Sequence, residues 1–529
     1  MKRLLPLAAL GLAGCSLDPQ DVRTAPPVPT SWPAGDAYLR STEAALPAVA
    51  WRDVFRDPRL QAVIGQALAN NRDLRIAADN IAVARAQYRV QRAELFPDLS
   101  GNASYRYGRG ATRTGTGTGN AGGSTGTGGI GTGGTGTGGT GTGGTGPGGT
   151  GTGGTATTAI PSGGTSFFST DVGVTAFEID LFGRIRSLSR AALNEYFATE
   201  AAQRTTRLTI VGDVANAWLT YAADQSLLNI ARQTAASAER TVRLTRARLQ
   251  GGVAPRTDLR QAETVLETAR ADLARQTTAV AQDANLLQLL VGAPVDPALL
   301  PPDLDSVADT LAELPAGLDS SILLRRPDIV QAEYRLRAGN ARIGAARAQM
   351  FPRLTLTGLA GFASTALRTL FTGDTFTYSV APNVSVPIFD AGGRRATVAQ
   401  ARAERQLLLD TYEQAIQSAF REVADALARR GTIVQEEQAV RRRVAAAADT
   451  FQLTDARYRG GIDPFLNSLD AQRTLYAAQQ QLVTTRLERA QNLVNLYRSL
   501  GGDATLDVTE QGPQPRAPEP TATPTPPAG

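Results

Sequence analysis

Hydrophobic positions along this chain switch between a helical rhythm and a period of two, and they do so in both halves. From Leu74 to Leu95 the apolar residues Ile76, Ile81, Ala84 and Tyr88 recur at three to five positions, which predicts a helix ending at Phe96-Pro97. Proline there cannot donate to the helix ladder and disfavours a helical residue before it. Beyond each Phe-Pro the period becomes two. Tyr378, Val380, Pro382, Val384, Val386 and Ile388 share one face, with Ser379, Ala381, Asn383 and Ser385 on the other. Leu354, Leu356 and Gly358 alternate with Thr355 and Thr357. In the first half Val172 and Val174 alternate with Asp171, Gly173 and Thr175 before the pattern blurs at Phe177. Two strand pairs are expected, at about 98–181 and 353–390. Their length suits a membrane β-barrel wall, where a tilted strand needs roughly 9–11 residues to cross. A soluble hairpin packed on a core produces the same alternation.

The segments 184–250 and 393–460 hold no proline and little internal glycine, so each predicts one very long helix. A run of 67 residues (184 to 250 inclusive) is roughly 100 Å long at 1.5 Å per residue. Leu208, Val211, Ala215, Trp218 and Ala222 follow a three-four rhythm, and Leu469, Tyr476, Val483, Ala490 and Tyr497 repeat every seven. Both periods predict supercoiled helix packing. A second stripe, Leu475, Leu482 and Leu496, gives the last helix neighbours on more than one side. Partner helices are expected over 255–290 and 464–500, reached through the Gly251-Gly252 and Gly460-Gly461 pairs. Glycine supplies the positive φ that such reversals need.

The halves repeat in sequence too. Leu95-Phe96-Pro97 recurs as Met350-Phe351-Pro352, an offset of 255 (351 less 96). Asp180-Leu181-Phe182-Gly183-Arg184 recurs as Asp390-Ala391-Gly392-Gly393-Arg394, an offset of 210 (390 less 180). Between those landmarks lies the Gly/Thr tract 114–158, whose 45 residues account for the difference (255 less 210). It can bury almost nothing and reads as an enlarged loop in the first strand pair. The expected domains are therefore a first repeat, 51–300, with long helices over 183–290, and a second, 301–505, with long helices over 393–500. A Pro/Thr-rich tail, 506–529, is expected to be disordered.

Composition narrows the function. Residues 1–14 read as a signal peptide: Lys2 and Arg3, an apolar run from Leu4 to Leu12, then Leu12-Ala13-Gly14-Cys15. Cys15 is the only cysteine of 529 residues, which points to a lipidated N-terminus followed by a tether over 15–50. An ordinary secretory signal that happens to hold a cysteine is the alternative. No histidine occurs, and no zinc spacing, nucleophile elbow or phosphate loop, so neither an enzyme nor a cofactor or metal is expected. Net charge is +5, or +3 once Lys2 and Arg3 are lost, which argues against nucleic acid.

Four strands per chain cannot close a barrel, since single-chain barrels need at least eight. Copies must therefore join, two giving eight strands and three giving twelve. At this point the residues resemble a family, the TolC-like outer-membrane efflux proteins, and within it the acylated OprM/NodT-type outer-membrane factor lipoproteins. The resemblance rests on Trp51…Phe55-Arg56-Asp57-Pro58, Leu95-Phe96-Pro97, Glu178 through Arg184, Val386 through Gly392, Arg457-Tyr458-Arg459-Gly460-Gly461 and Leu469 through Arg473. It implies a mainly α protein with membrane β: a homotrimer whose twelve-strand β-barrel in the outer membrane continues as a periplasmic α-helical barrel. It also implies a periplasmic adaptor (membrane fusion) protein and an inner-membrane resistance-nodulation-division transporter as partners. The function implied is passive export of drugs or other small toxic compounds. A type I protein-secretion duct keeps the same fold. A surface adhesin carrying the Gly/Thr tract on a coiled-coil stalk is the reading from another class.

The resemblance further implies a periplasmic gate formed by Tyr458, Asp470 and Arg473. The equivalents 209 residues earlier are Leu249, Gln261 and Thr264, so only the second repeat carries the set. A plain i,i+3 pair on one helix is the alternative reading of Asp470 and Arg473. The turns Gly251–Asp258 and Gly460–Asn467 are candidate adaptor-docking tips, with Gly251, Gly252, Asp258, Gly460, Gly461 and Asn467 as the residues singled out.

Overall fold

Two 67-residue helices, Arg184–Gln250 and Gly393–Arg459, dominate the protein. Its structure is a computed structural model that describes residues 50–108, 165–307, 310–312 and 320–515, together with 17, 19, 27–29 and 32–33. Cys15, the signal peptide, the Gly/Thr tract and residues 516–529 lie outside the described residues. After a single turn at Trp51–Val54 come α1 (Pro58–Asn70), α2 (Arg72–Ala93), β1 (Leu99–Gly108), β2 (Thr165–Ile179), α3 (Arg184–Gln250) and α4 (Arg256–Val291). The second series is α5 (Pro327–Ala348), β3 (Arg353–Ser364), β4 (Phe376–Ser385), α6 (Gly393–Arg459) and α7 (Phe465–Ser499). A short hairpin, β5 (Leu506–Thr509) and β6 (Gly512–Pro515), follows.

The chain divides into a helical unit and a strand unit, the latter comprising Pro97–Glu178 and Thr355–Asn383. In the strand unit the sheet order is β1-β2-β3-β4, so β1 and β4 are its edges. β1 and β2 are antiparallel, with Leu99 opposite Val174 and Gly108 opposite Thr165. Every residue of β1 and of β4 is exposed in the single chain. Gly173 and Gly361 face the backbone of the neighbouring strand so closely that a Cβ at either would collide with it. The alternation that blurs at Phe177 has a backbone cause. Ala176 sits at φ 54°, a left-handed residue inside β2, and its N–H donates to the Thr357 hydroxyl at 3.1 Å. β4 stops at Ser385 rather than near 390, because Pro387 has no N–H to extend a ladder.

In the helical unit the predicted stripes face inward, with Leu475, Tyr476 and Leu482 half-buried and the rest buried. Leu208, Val211, Ala215, Trp218 and Ala222 of α3 are buried, as are Leu469, Val483, Ala490 and Tyr497 of α7. All but Leu469, which belongs to a smaller cluster nearer the hairpin turn, join α1, α4 and α6 in one large core, where the Trp218 indole N–H donates to the Leu299 carbonyl at 3.0 Å. Among the described residues, the buried polar atoms Gln91 Nε2, Asn216 Oδ1 and Asp283 Oδ2 have no hydrogen-bond partner, whereas Glu437 is well paired. Glu437 is 3 % exposed and accepts hydrogen bonds from Arg441, Arg486 and Arg489. Burial opposes its charge, but Arg441 and Arg489 outweigh that and hold the carboxyl below its usual range.

Three expectations change. α2 turns Ala77 inward instead of Ile76, so the inner line is Ala77, Ile81, Ala84 and Tyr88 and Ile76 is exposed. Residues 506–515, assigned above to a disordered tail, form the β5–β6 hairpin. Fully buried Leu506 packs there with Phe197, Val330 and Tyr334, a burial that contributes about 2 kcal/mol. The tether is held where it is described. Arg347 donates to the Leu17 carbonyl at 2.9 Å, Ser320 donates to that of Pro29 at 2.7 Å, and Trp32 stacks on Phe420.

Asp224 of α3 and Asp283 of α4 bring two carboxyl groups together across their hairpin. Burial, then the Asp224 partner, pushes the Asp283 carboxyl up to about 7. An aspartate in the unfolded chain titrates near about 4, so between those values the folded chain keeps a proton that the unfolded one releases. Stability is therefore full below the lower value, falls as pH rises toward 7, and stays reduced above. Asp283→Asn is expected to raise the melting temperature at pH 8 and to flatten its fall between pH 5 and 8. Thermal melts that superimpose on wild type at every pH would refute this.

Candidate periplasmic tip and gate

The α3–α4 and α6–α7 hairpins reverse in the same way. Gly252 and Gly461 adopt φ of 75° and 74°, and the next residue in each, Val253 or Ile462, donates its N–H to Arg248 or Arg457 at 2.9 Å. This is a left-handed cap that satisfies the last carbonyls of a helix. Pro255 and Pro464 then start the return helices, with Asp258 and Asn467 each donating to that proline's carbonyl at 3.2 Å. The caps leave aliphatic side chains in the open: Val253 is 71 % exposed and Ile462 is 67 % exposed, beside exposed Leu466. Burial raises the Asp258 carboxyl, against the nearby Arg248 charge. The Arg457 hydrogen bonds hold Asp463 low.

Tyr458 is buried at 4 % in a cluster with Val242, Leu259, Leu266, Phe465 and Leu469. Its ring lies 5.2 Å from that of Phe465, and its hydroxyl is 3.3 Å from the Thr245 hydroxyl. The Arg248 guanidinium covers the ring at 4.7 Å, and its Nη1 donates to the Tyr458 carbonyl at 2.8 Å. So Tyr458 binds one hairpin to the other. Higher up, Tyr476 donates to Asp272 at 3.1 Å, which links α7 to α4. Burial and then the Asp272 charge push that phenol up to about 12.

Asp470 and Arg473 do not join Tyr458 within one chain, and they do not pair with each other. Asp470 lines a groove of about 520 Å³ with Ala447, Thr450 and Thr454 of α6. Arg473 lines a cavity of about 120 Å³ with Thr234, Thr268 and Asp272. Three residues apart on a helix, they lean toward different neighbours. Both are exposed, and among the described residues neither has a hydrogen bond or ion pair. Arg248 and Thr245 were not singled out from sequence. The one signal for Arg248 was its place as the repeat equivalent of Arg457. No described cluster of three or more Asp, Glu, Cys or His could hold a metal, and no described helix is long and apolar enough to cross a membrane.

Two long-helix hairpins and a four-stranded sheet with bare edges define a class, that of the outer-membrane channels with a TolC-like fold. The chain is similar to a crystallised membrane protein from Pseudomonas aeruginosa at 34 % identity and a TM-score of 0.78, covering 92 % of this chain and all of that one. It is also similar to the open MtrE outer membrane channel of Neisseria gonorrhoeae at 31 % identity and a TM-score of 0.75, covering 92 % of this chain and 98 % of that one. Residues 63–293 and 318–502 match the profile of the outer membrane efflux proteins. The toluene efflux pump outer membrane protein TtgC of Pseudomonas putida is 42 % identical, over 95 % of this chain and 96 % of that protein. The chain belongs to the outer membrane efflux protein family.

Proposed function

We propose that three copies close a twelve-strand barrel and form the outer-membrane duct of a tripartite efflux pump. The observation that carries this reading is the four-stranded sheet whose edge strands β1 and β4 are bare and carry exposed aromatic and aliphatic side chains. Phe376, Tyr378, Val380 and Val384 are all more than half exposed, as are Leu99, Tyr105 and Tyr107. In hydrocarbon an unpaired strand edge costs several kcal/mol per group, so those edges must meet other copies. On α2, Ile76, Val83 and Val90 stand seven apart and are 55–70 % exposed, a seam suited to a neighbouring protomer's helix. The element lengths support an internal repeat: helices of 22, 67 and 36 residues in the first series, and of 22, 67 and 35 in the second.

The duct catalyses nothing, and its energy comes from the partner pump, of the resistance-nodulation-division class. Adaptor hairpins dock tip to tip at Gly251–Asp258 and Gly460–Asn467, where Val253, Ile462 and Leu466 give an apolar landing surface. Asp470 and Arg473, unpaired within a chain, are free to bond across protomers and narrow the periplasmic end with Tyr458. Cys15 carries the lipid. The cargo is small and toxic, in line with the toluene pump named for its relative TtgC.

Cells lacking the protein should become sensitive to organic solvents and drugs; undiminished tolerance in a clean deletion would overturn the export reading. Asp470→Ala or Arg473→Ala should raise single-channel conductance in planar bilayers, and unchanged traces would remove the gate assignment. Cys15→Ser should abolish incorporation of labelled palmitate, whereas retained label would exclude this cysteine as the acceptor.

A further inference from the structure

The two hairpin tips share a backbone but not a charge pattern. In the second, Arg457 is held by its own turn: Asp463 takes its Nε at 2.7 Å and its Nη2 at 3.0 Å. The position equivalent to Asp463 in the first tip, 209 residues earlier, is Ala254. Arg248, the equivalent of Arg457, therefore has no acid at that position to fold onto. Glu263 nearby is already taken by Arg246 and Arg260. Asp258 raises no hydrogen-bonded claim on Arg248; it is felt only as a nearby charge. Arg248 instead crosses to the other hairpin. It lies over the Tyr458 ring at 4.7 Å and donates to the Tyr458 carbonyl at 2.8 Å, an oxygen that also accepts the Gly461 N–H at 2.9 Å. The Arg248 guanidinium reaches Gly461 itself: a Cβ there would make ordinary contact with its Nη2 at 3.5 Å.

We propose that Arg248 is the positioning residue of the gate, clasping the α6–α7 hairpin to the α3–α4 hairpin, and that Ala254 is what leaves it free to do so. The clasp joins two favourable terms on one group. A guanidinium over a phenol ring gains from the ring's negative face, and a cation at the C-terminus of α6 meets the negative end of that helix. Tyr458 sits on α6 and is followed by Gly460-Gly461, the turn that leads to Asp470 and Arg473 on α7. Releasing it frees the hairpin that carries the other two gate residues. This inference rests on the gate reading given above.

The test uses the assembled full-length channel in planar bilayers, with Arg248→Ala, Arg248→Lys, Ala254→Asp and Ala254→Asn beside Asp470→Ala. Ala254→Asp leaves every atom of the Tyr458 pocket in place and supplies Arg248 with the partner that Arg457 already has. Arg248→Ala and Ala254→Asp are each expected to raise the ratio of open to closed states about tenfold, which converts to roughly 1.4 kcal/mol. Arg248→Lys keeps a cation over the ring and should stay near wild type, as should Ala254→Asn, which adds size without charge. If Asp470→Ala opens the channel while Arg248→Ala and Ala254→Asp do not, the clasp is overturned and the gate stands. If none of the variants opens it, gate and clasp fall together.

Discussion

A β-strand in hydrocarbon has no water to satisfy its edge, and this chain supplies four strands with two edges to satisfy. That constraint organises the proposed assembly. The inner strands β2 and β3 approach so closely that glycines 173 and 361 are required between them. The outer strands β1 and β4 keep bare edges and exposed aromatic and aliphatic side chains. A soluble domain would cover such a surface; a wall segment must not.

The helical unit meets a different demand. Helices of 67 residues cannot rely on propensity to stay aligned, so they depend on stripes of small and branched side chains and on paired charges. Trp218, Tyr497 and Phe55 anchor the thick end of the packing, where α1 and the segment around Leu299 add to it. Near the tips the packing is thinner, with a small cluster around Tyr458 and Phe465. A few polar contacts therefore matter more there than they do in the large core. Arg248 over Tyr458, the Thr245 hydroxyl beside that of Tyr458, and Tyr476 on Asp272 are among those that join the two hairpins. Thin packing held by a few polar bonds suits the proposed gate, since such bonds exchange with water or with a partner's groups at little cost.

Local rules made much of this legible in advance. The helix lengths, the Phe-Pro stops and the reversal glycines are written in residues whose backbone preferences act over one or two turns. The buried stripes of α3 and α7 follow from periodicity, because a helix deep in a bundle has no freedom over which face it buries. Ile76 went the other way. On α2 two apolar lines run side by side, and only the neighbouring helix decides between the Ala77 line and the Ile76, Val83, Val90 line. The left-handed Ala176 was likewise unreadable, since alanine has no preference for that region and its place in the sheet imposes it.

By itself, then, the order of residues determined the long helices and their lengths, the hairpin turns and the family, all of which depend on short-range chemistry or on motifs. Tertiary structure alone decided which side chains meet. It turned Tyr458 under Arg248, sent Asp470 and Arg473 to separate grooves, and folded 506–515 onto Phe197 and Tyr334. Those contacts join residues distant along the chain, 210 apart for Arg248 and Tyr458. Their energies depend on burial and orientation, and neither exists until the helices have packed.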